Sequence, residues 1–150
     1  MYKINITLQI ACKNSFGIPN KNKFQCWIQP IALLLAINSN ITIRIVDIPE
    51  SKYLNFKYRG KNSPTNILSF IFNQPDNLRL SNLGDLILCK QIIEQEAVEQ
   101  KKIFYAHWAH IVIHGCLHLI GYDHSTIYET KIMTTIEKKI MHYLGFPNPY

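Results

Sequence analysis

The stretch HGCLHLIGYDH, residues 114–124, decides how this chain is interpreted, because it joins the end of a long apolar helix to a chain reversal. The helix predicted at residues 103–120 includes the first part of this stretch and is apolar around most of its circumference, which is typical of a helix inside a domain. Gly121 predicts the end of that helix. The polar residues of the helix form one stripe: His107, His110, His114 and His118.

Three histidines of this stretch are spaced as metal ligands. His114 and His118 are four residues apart, so their imidazoles project from successive turns and can reach one ion at about 2.0–2.1 Å. His110 cannot be the third ligand, because three residues over two turns span about 12 Å. His124, after the bend, can. We predict one zinc ion per chain at the end of the central helix, with a fourth position open for water.

The same spacing, H-x3-H-x5-H with a glycine before the third histidine, matches the metzincin proteases. Those enzymes need a glutamate general base directly after the first histidine. This chain has Gly115 there. The spacing therefore favours a three-histidine metal site over a zinc peptidase, which stays the less favoured alternative. A catalytic role for the metal is favoured, since a domain of this size needs no metal to fold.

The other polar residues near this stretch are assigned supporting roles. We expect His107 and His110 to pack or to hydrogen-bond behind the ligands rather than to contact a substrate. Cys116 points away from the histidine stripe and is expected in the core. Asp123 is expected to shape the turn or to support a ligand.

Three more acidic residues are placed by their context. Asp85 lies within an apolar strand, where an unpaired carboxylate is costly, so it is expected to orient Arg59 or a ligand histidine. Glu129 and Glu137 are expected to be surface charges on the last helix.

The remaining pattern predicts an α+β fold in a single domain, residues 1–150, with a mixed four-stranded sheet packed with helices. Alternating or apolar runs predict strands at residues 2–12, 41–46, 67–72 (a buried strand) and 83–89. Helical spacing predicts helices at residues 20–38 (broken or kinked at Pro30), 49–56, 90–102, 103–120 and 125–144. Polar and glycine-rich stretches predict a loop at 57–66 and turns at 73–82.

Composition narrows the class of partner. The net charge of +6 and the pI of about 9.2 favour a polyanionic partner such as nucleic acid. The four cysteines lack metal-type pairing and indicate reduced thiols in a cytoplasmic protein. No apolar run approaches the roughly 18 residues of a membrane span, so no membrane association is expected.

Three separated blocks make the chain similar to the YbeY family of bacterial endoribonucleases and ribosomal-RNA maturation factors. They are HGCLHLIGYDH at 114–124, YRGK through PTNILSF at 58–70, and LGDL at 83–86. The closing LGF and PY, at 144–146 and 149–150, resemble it too. The chain departs from the family at Ile71, where proline is usual, and this puts no ligand in doubt.

The resemblance implies a metal-dependent, single-strand-specific endoribonuclease that acts in late ribosome quality control and in 3′-end maturation of 16S ribosomal RNA. Its partners would be single-stranded ribosomal RNA and the small ribosomal subunit with its proteins; DNA is not expected. Zinc would be bound by His114, His118 and His124. Arg59 and His114 would be catalytic.

Substrate contacts are expected on the loop around Arg59. A guanidinium can grip a phosphate through paired donors. Lys61 would add charge, and Tyr58 could stack on a base. The alternative to an enzyme is a non-catalytic RNA-binding ribosome assembly factor with a structural metal.

Overall fold

The computed structural model describes residues 1–72 and 82–150, so most of the predicted turn-rich stretch at 73–82 lies outside the described residues. The described residues form four strands and five helices in mixed order. In chain order these are β1 (Lys3–Ala11), α1 (Lys21–Leu35), β2 (Asn38–Val46), α2 (Ile48–Arg59), β3 (Ile67–Ile71), β4 (Gly84–Cys89), α3 (Lys90–Glu99), α4 (Phe104–Ile120) and α5 (Ile127–Tyr143).

The strands make one mixed sheet in the order β1-β2-β4-β3, which confirms the predicted α+β class and the four-stranded mixed sheet. β2 is parallel to β1 and to β4, whereas β3 is antiparallel to β4. Ile41, Ile43 and Ile45 alternate in β2 because their side chains point to the same face of the sheet, where all three are buried against the helices. β2 begins three residues before the predicted start, since its pairing with β1 already holds at Asn38.

The main core lies between one face of the sheet and the helices α1 and α4. Trp108 of α4 is fully buried, and its ring meets those of Phe24 and Phe104 edge-on at centroid distances of 6.1 and 6.2 Å. Each such side chain contributes roughly 1.5–3 kcal/mol through burial. This packing fixes α4 against the sheet and so fixes where its carboxyl-terminal end lies.

Helix α1 continues through Pro30, so the predicted break there is wrong. The helix begins after Asn20, whose side chain accepts a hydrogen bond from the Lys23 backbone N–H at 2.9 Å. It ends at Ala36 in the left-handed region, with φ of 54°. Proline removes one helical N–H, but the buried face that includes Trp27 outweighs that loss.

Two further features near the cleft described below differ from the prediction. α2 extends to Arg59 and ends at Gly60, which has a φ of 71°, so Tyr58 and Arg59 lie in the last helical turn rather than in the predicted loop. Among the described strands, β3 lies at the edge of the sheet beside β4, and Leu68 is the one residue of β3 that is buried; the predicted burial of this strand is wrong. Ile71 pairs regularly with Gly84 at its end.

The other predicted helices are confirmed with shifted ends. α3 stops at Glu99 rather than at residue 102, and Lys101 has a positive φ of 54°. α4 and α5 agree with their predicted ranges within two residues. None of the described helices combines the length and the apolar run that a bilayer crossing demands.

Candidate metal centre and cleft

A tight reversal after α4 sets up the candidate site. Gly121 has a φ of 116°, and its backbone N–H bonds to the carbonyl of His118 at 3.0 Å. The next amide, Tyr122 N–H, bonds to the Leu117 carbonyl at 3.1 Å, the pattern of a Schellman motif. The positive φ explains the glycine, because a residue with a Cβ is strained there.

The segment after the bend is held by its own side chains. Asp123 accepts hydrogen bonds from the His124 backbone N–H and the Ser125 hydroxyl, both at 2.7 Å. These two donors lower the pKa of Asp123, so it stays ionised. The Thr130 hydroxyl donates to the His124 carbonyl at 3.1 Å. Asp123 therefore shapes the turn, as the sequence predicts, and directs His124 back toward α4.

The three predicted ligands come together. One ring nitrogen from each of His114, His118 and His124 can be chosen so that all three lie within 4.8 Å of one another. His118 Nε2 and His114 Nε2 are 3.1 Å apart. The ring of His124 stacks over that of His114 with centroids 5.6 Å apart. These three residues are the group of potential metal ligands found among residues 1–72 and 82–150.

The donor set fits a zinc ion. A tetrahedral zinc with bonds of about 2.0–2.1 Å places its nitrogen ligands roughly 3.3 Å apart. The observed 3.1 Å between the two Nε2 atoms is close to that separation. Burial lowers the pKa of His118, and the neighbouring imidazoles His114 and His124 lower it further. His118 is therefore neutral at neutral pH and offers a lone pair, as a ligand must.

A buried carboxylate lies directly behind the site. Glu137 of α5 has a side chain only 1% exposed, so the expected surface position is wrong. Its Oε2 is 3.3 Å from His114 Nδ1, and its Oε1 is 2.7 Å from His110 Nε2. Burial alone would raise the pKa of Glu137, but the hydrogen bonds from His110 and His114 outweigh it and bring the pKa to about 2. Glu137 is an anion that accepts from both rings.

The same carboxylate has a third donor. The Tyr150 hydroxyl donates to Glu137 Oε1 at 2.9 Å, and the Tyr150 ring meets that of His110 edge-on at 5.2 Å. Burial and the negative charge of Glu137 raise the pKa of Tyr150, so its hydroxyl stays protonated. His110 therefore has the predicted role behind the ligands.

Two other residues of α4 play structural parts. His107 Nε2 contacts Glu96 of α3 at 3.0 Å, in the supporting position expected for it. Cys116 is fully buried, and burial raises the pKa of its thiol to about 12. It is a core residue, as predicted.

The three histidines lie in an open cleft of about 680 Å³ between α4, the edge strand β3 and the end of α2. Tyr58 and Arg59 line the cleft from α2, and Asp123 lines it from the bend. Tyr58 packs edge-on against Phe70 with centroids 5.0 Å apart. Arg59 and the three histidines thus share one cavity, although they are far apart in sequence.

Two predicted site residues lie elsewhere. Lys61 is exposed after the end of α2 and is not part of the cleft lining. Asp85 lies in β4 one residue before Leu86, which faces α4; alternation therefore puts Asp85 on the opposite face of the sheet. It cannot orient a ligand histidine, and the described residues contain no ion pair between Asp85 and Arg59.

Gly115, next to the first ligand, packs against the sheet. A Cβ at this position would lie 2.4 Å from Ile67 Cδ1 and 2.9 Å from Leu86 Cδ2. Both neighbours would have to move to admit any side chain. The glycine therefore fits the close approach of α4 to the sheet, and a carboxylate at this position would require the ends of the Ile67 and Leu86 side chains to shift.

Glu137 and Tyr150 were not identified as site residues from the sequence. A signal for Glu137 was present, because Met133, Ile140 and Met141 share its helical face and are buried. A glutamate in the middle of an apolar stripe needs a buried partner. Tyr150 belongs to the closing PY that resembles the family, but no pattern in the sequence points to its contact with Glu137, which arises only through the fold.

Comparison with known proteins adds a family and a fold. The family model described as Endoribonuclease YbeY matches residues 10–145 of this chain. Among solved structures, the solution structure of TM1509 from Thermotoga maritima (VT1, a NESGC target protein) is similar with a TM-score of 0.60 and 22% sequence identity. The match covers 93% of this chain and 92% of that one. At this identity the likeness shows a shared fold.

Proposed function

The chain belongs to the YbeY endoribonuclease family, and from this we propose that it is a zinc-dependent, single-strand-specific endoribonuclease. It acts in late ribosome quality control and in 3′-end maturation of 16S ribosomal RNA, in the cytoplasm and on the small ribosomal subunit. The observation that carries the proposal is the convergence of three imidazoles within 4.8 Å in an open cleft shared with Arg59. The charge of +6 suits a polyanionic substrate.

His114, His118 and His124 would hold the metal, and the other residues of the cleft would hold the RNA. A zinc ion held by these three residues would supply Lewis-acid chemistry toward phosphoryl oxygens and water. Arg59 grips the phosphate through paired donors and stabilises the charge that grows at phosphorus. The exposed ring of Tyr58 offers a base a stacking surface. Lys61 lies outside the cleft lining and adds longer-range attraction.

A peptidase of the metzincin type is the weaker candidate. Its glutamate would be needed at position 115, where the glycine is packed against Ile67 and Leu86. Incubation with an unstructured protein substrate tests this directly. Peptide cleavage that is abolished by a chelator and restored by zinc would contradict the nuclease proposal.

The main test joins metal content and activity in one sample. Purified protein is analysed for zinc and incubated with single-stranded RNA and with the same RNA as a duplex. We expect cleavage of the single strand, loss of cleavage with a chelator and recovery on addition of zinc. RNA binding without cleavage at any metal loading would favour the non-catalytic assembly factor instead.

The role of Arg59 is tested by Arg59→Glu. We expect zinc binding to be kept and RNA cleavage to fall by about 100-fold or more, since one phosphate-stabilising donor group is worth about 10²–10³ in rate. The matched control is Lys52→Glu, which makes the same change of charge on an exposed residue of α2 that does not line the cleft. Equal losses in both variants would reduce Arg59 to a part of the general positive charge.

A further inference from the structure

The carboxylate of Glu137 contacts three other side chains, and the four residues come from three parts of the chain. His110 and His114 come from α4, Glu137 from α5, and Tyr150 from the segment that follows α5. Oε1 accepts from His110 at 2.7 Å and from Tyr150 at 2.9 Å, and Oε2 lies 3.3 Å from His114 Nδ1. Both oxygens are therefore engaged, on a side chain that is 1% exposed.

These contacts select one form of the His114 ring. An ionised carboxylate only accepts hydrogen bonds, so the contact with Glu137 requires the hydrogen of His114 to be on Nδ1. The other nitrogen, Nε2, then has a free lone pair. That atom is the one that lies 3.1 Å from His118 Nε2, on the side of the candidate metal centre. The buried carboxylate thus leaves the correct nitrogen free to bind a cation.

The carboxylate is itself held in place. The ring of Tyr150 packs against His110 at 5.2 Å, and Lys138 Nζ lies 5.9 Å from the centroid of the Tyr150 ring. The Lys102 ammonium donates to the Pro149 carbonyl at 2.8 Å, which ties this segment to the connection between α3 and α4. The contact of the Tyr150 ring with His110 and the bond from Lys102 to Pro149 therefore hold the Tyr150 hydroxyl beside Glu137.

We propose that Glu137 is a positioning residue that fixes His114 in the tautomer presenting Nε2 to the metal, and that Tyr150 and His110 hold the Glu137 carboxylate for this task. The proposal deepens the proposed function and rests on its metal centre. Carboxylates behind ligand histidines orient the ring and increase its basicity, and their loss weakens metal binding by about 10–100-fold.

The test is the zinc dissociation constant, measured by competition with a chromophoric chelator. We expect Glu137→Gln to weaken zinc binding by about 10–100-fold. Tyr150→Phe removes one donor to the carboxylate and should weaken binding by about 2–10-fold. The matched control is Glu96→Gln. Glu96 contacts His107, which lies on α4 like His114 but is not a predicted ligand. This substitution should leave the zinc affinity unchanged.

A second readout separates positioning from general stability. In metal-free protein, ¹⁵N NMR of the imidazole rings should show His114 protonated at Nδ1 in the wild type. In Glu137→Gln the two tautomers should mix, because an amide can either donate or accept. If Glu137→Gln does not fold, Tyr150→Phe decides with the same two measurements.

The outcomes are distinguishable from a failure of the proposed function. Wild-type protein that binds zinc tightly, together with variants of unchanged affinity and unchanged His114 tautomer, overturns the inference alone. Wild-type protein that binds no zinc overturns the metal centre and the inference with it. Equal weakening in Glu96→Gln would show that the effect is general destabilisation, and it would also overturn the inference.

Discussion

Two of the imidazole–carboxylate contacts that helix α4 makes look alike and differ in consequence. His107 meets Glu96 of α3 at 3.0 Å, and His114 meets Glu137 of α5 at 3.3 Å. The side chain of His107 is 3% exposed, whereas that of His114 is 25% exposed and borders the cleft. The His107–Glu96 pair therefore lies in the protein interior, and the His114–Glu137 pair lies where the interior meets the cleft.

The second ring nitrogen makes the difference. Nδ1 of His107 is buried and has no hydrogen-bond partner within the part of the chain that the structure describes. Nε2 of His114 faces His118 at 3.1 Å. A histidine can serve as a ligand only if one nitrogen points to a space where a cation can sit, so the first pair supports the fold and the second supports the candidate site.

The charge state of the His107–Glu96 pair follows from its burial. Burial lowers the pKa of His107 in spite of its carboxylate partner. We therefore interpret the His107–Glu96 contact as a hydrogen bond from a neutral ring rather than an ion pair at neutral pH. Glu96 also accepts from the side chain of Asn66 at 3.1 Å, which links α3 to the start of β3. Its environment is that of a structural contact.

The largest expected effect is on zinc content. His118→Ala should lose most of the roughly one zinc per chain that a three-ligand site holds, since two imidazoles remain. The domain should stay folded, as followed by circular dichroism with and without chelator. His107→Ala is the contrasting variant and should keep its zinc. Collapse of the fold in His118→Ala would mean that the metal is structural.

The next effect concerns stability. Glu96→Gln should lower the free energy of unfolding by about 1–3 kcal/mol, because His107 and Asn66 lose a charged acceptor. Urea unfolding in the presence of a chelator measures this without a contribution from metal. The control is Glu99→Gln on the exposed face of α3, for which a change below about 0.5 kcal/mol is expected. Equal changes in the free energy of unfolding of both variants would show that the His107–Glu96 contact has no special role in stability.

The smallest effect is on pH dependence. The folded-state pKa of His107 is lowered mainly by burial and, in smaller part, by Lys102 and His110, against the opposite influence of Glu96. Its contribution to stability is thus complete above the unfolded pKa of about 6.5 and is lost as the pH falls toward the folded pKa.

This contribution can be isolated by substitution. Metal-free wild type should lose at most about 1.4 kcal/mol per pH unit through this residue below pH 6.5 or so. His107→Gln should show a shallower slope between pH 7.5 and 5. An unchanged slope would mean that His107 titrates normally, and the contrast between the two pairs would then rest on geometry alone.

Local sequence predicted much of the fold and the site. The i, i+4 spacing of His114 and His118, the glycine bend and the return to His124 depend on contacts within eleven residues, so the sequence alone defined the candidate metal centre. The central helix and the alternating strands followed from periodicity for the same reason. Prediction was poorest at element ends, such as that of α2, where pairing and packing override local preference.

Tertiary structure decided everything that joins distant parts of the chain. Glu137 is 23 residues from His114, and Tyr150 is 40 residues from His110, so no local pattern could bring them together. The face of Asp85, the edge position of β3 and the entry of Arg59 into the cleft depend on strand order and on helix packing. The spacing of the three histidines determines which ring nitrogens can bind one cation, because consecutive helical turns have a fixed geometry. The side chains around that cation, such as Glu137, Tyr150 and Arg59, come together only when the helices pack.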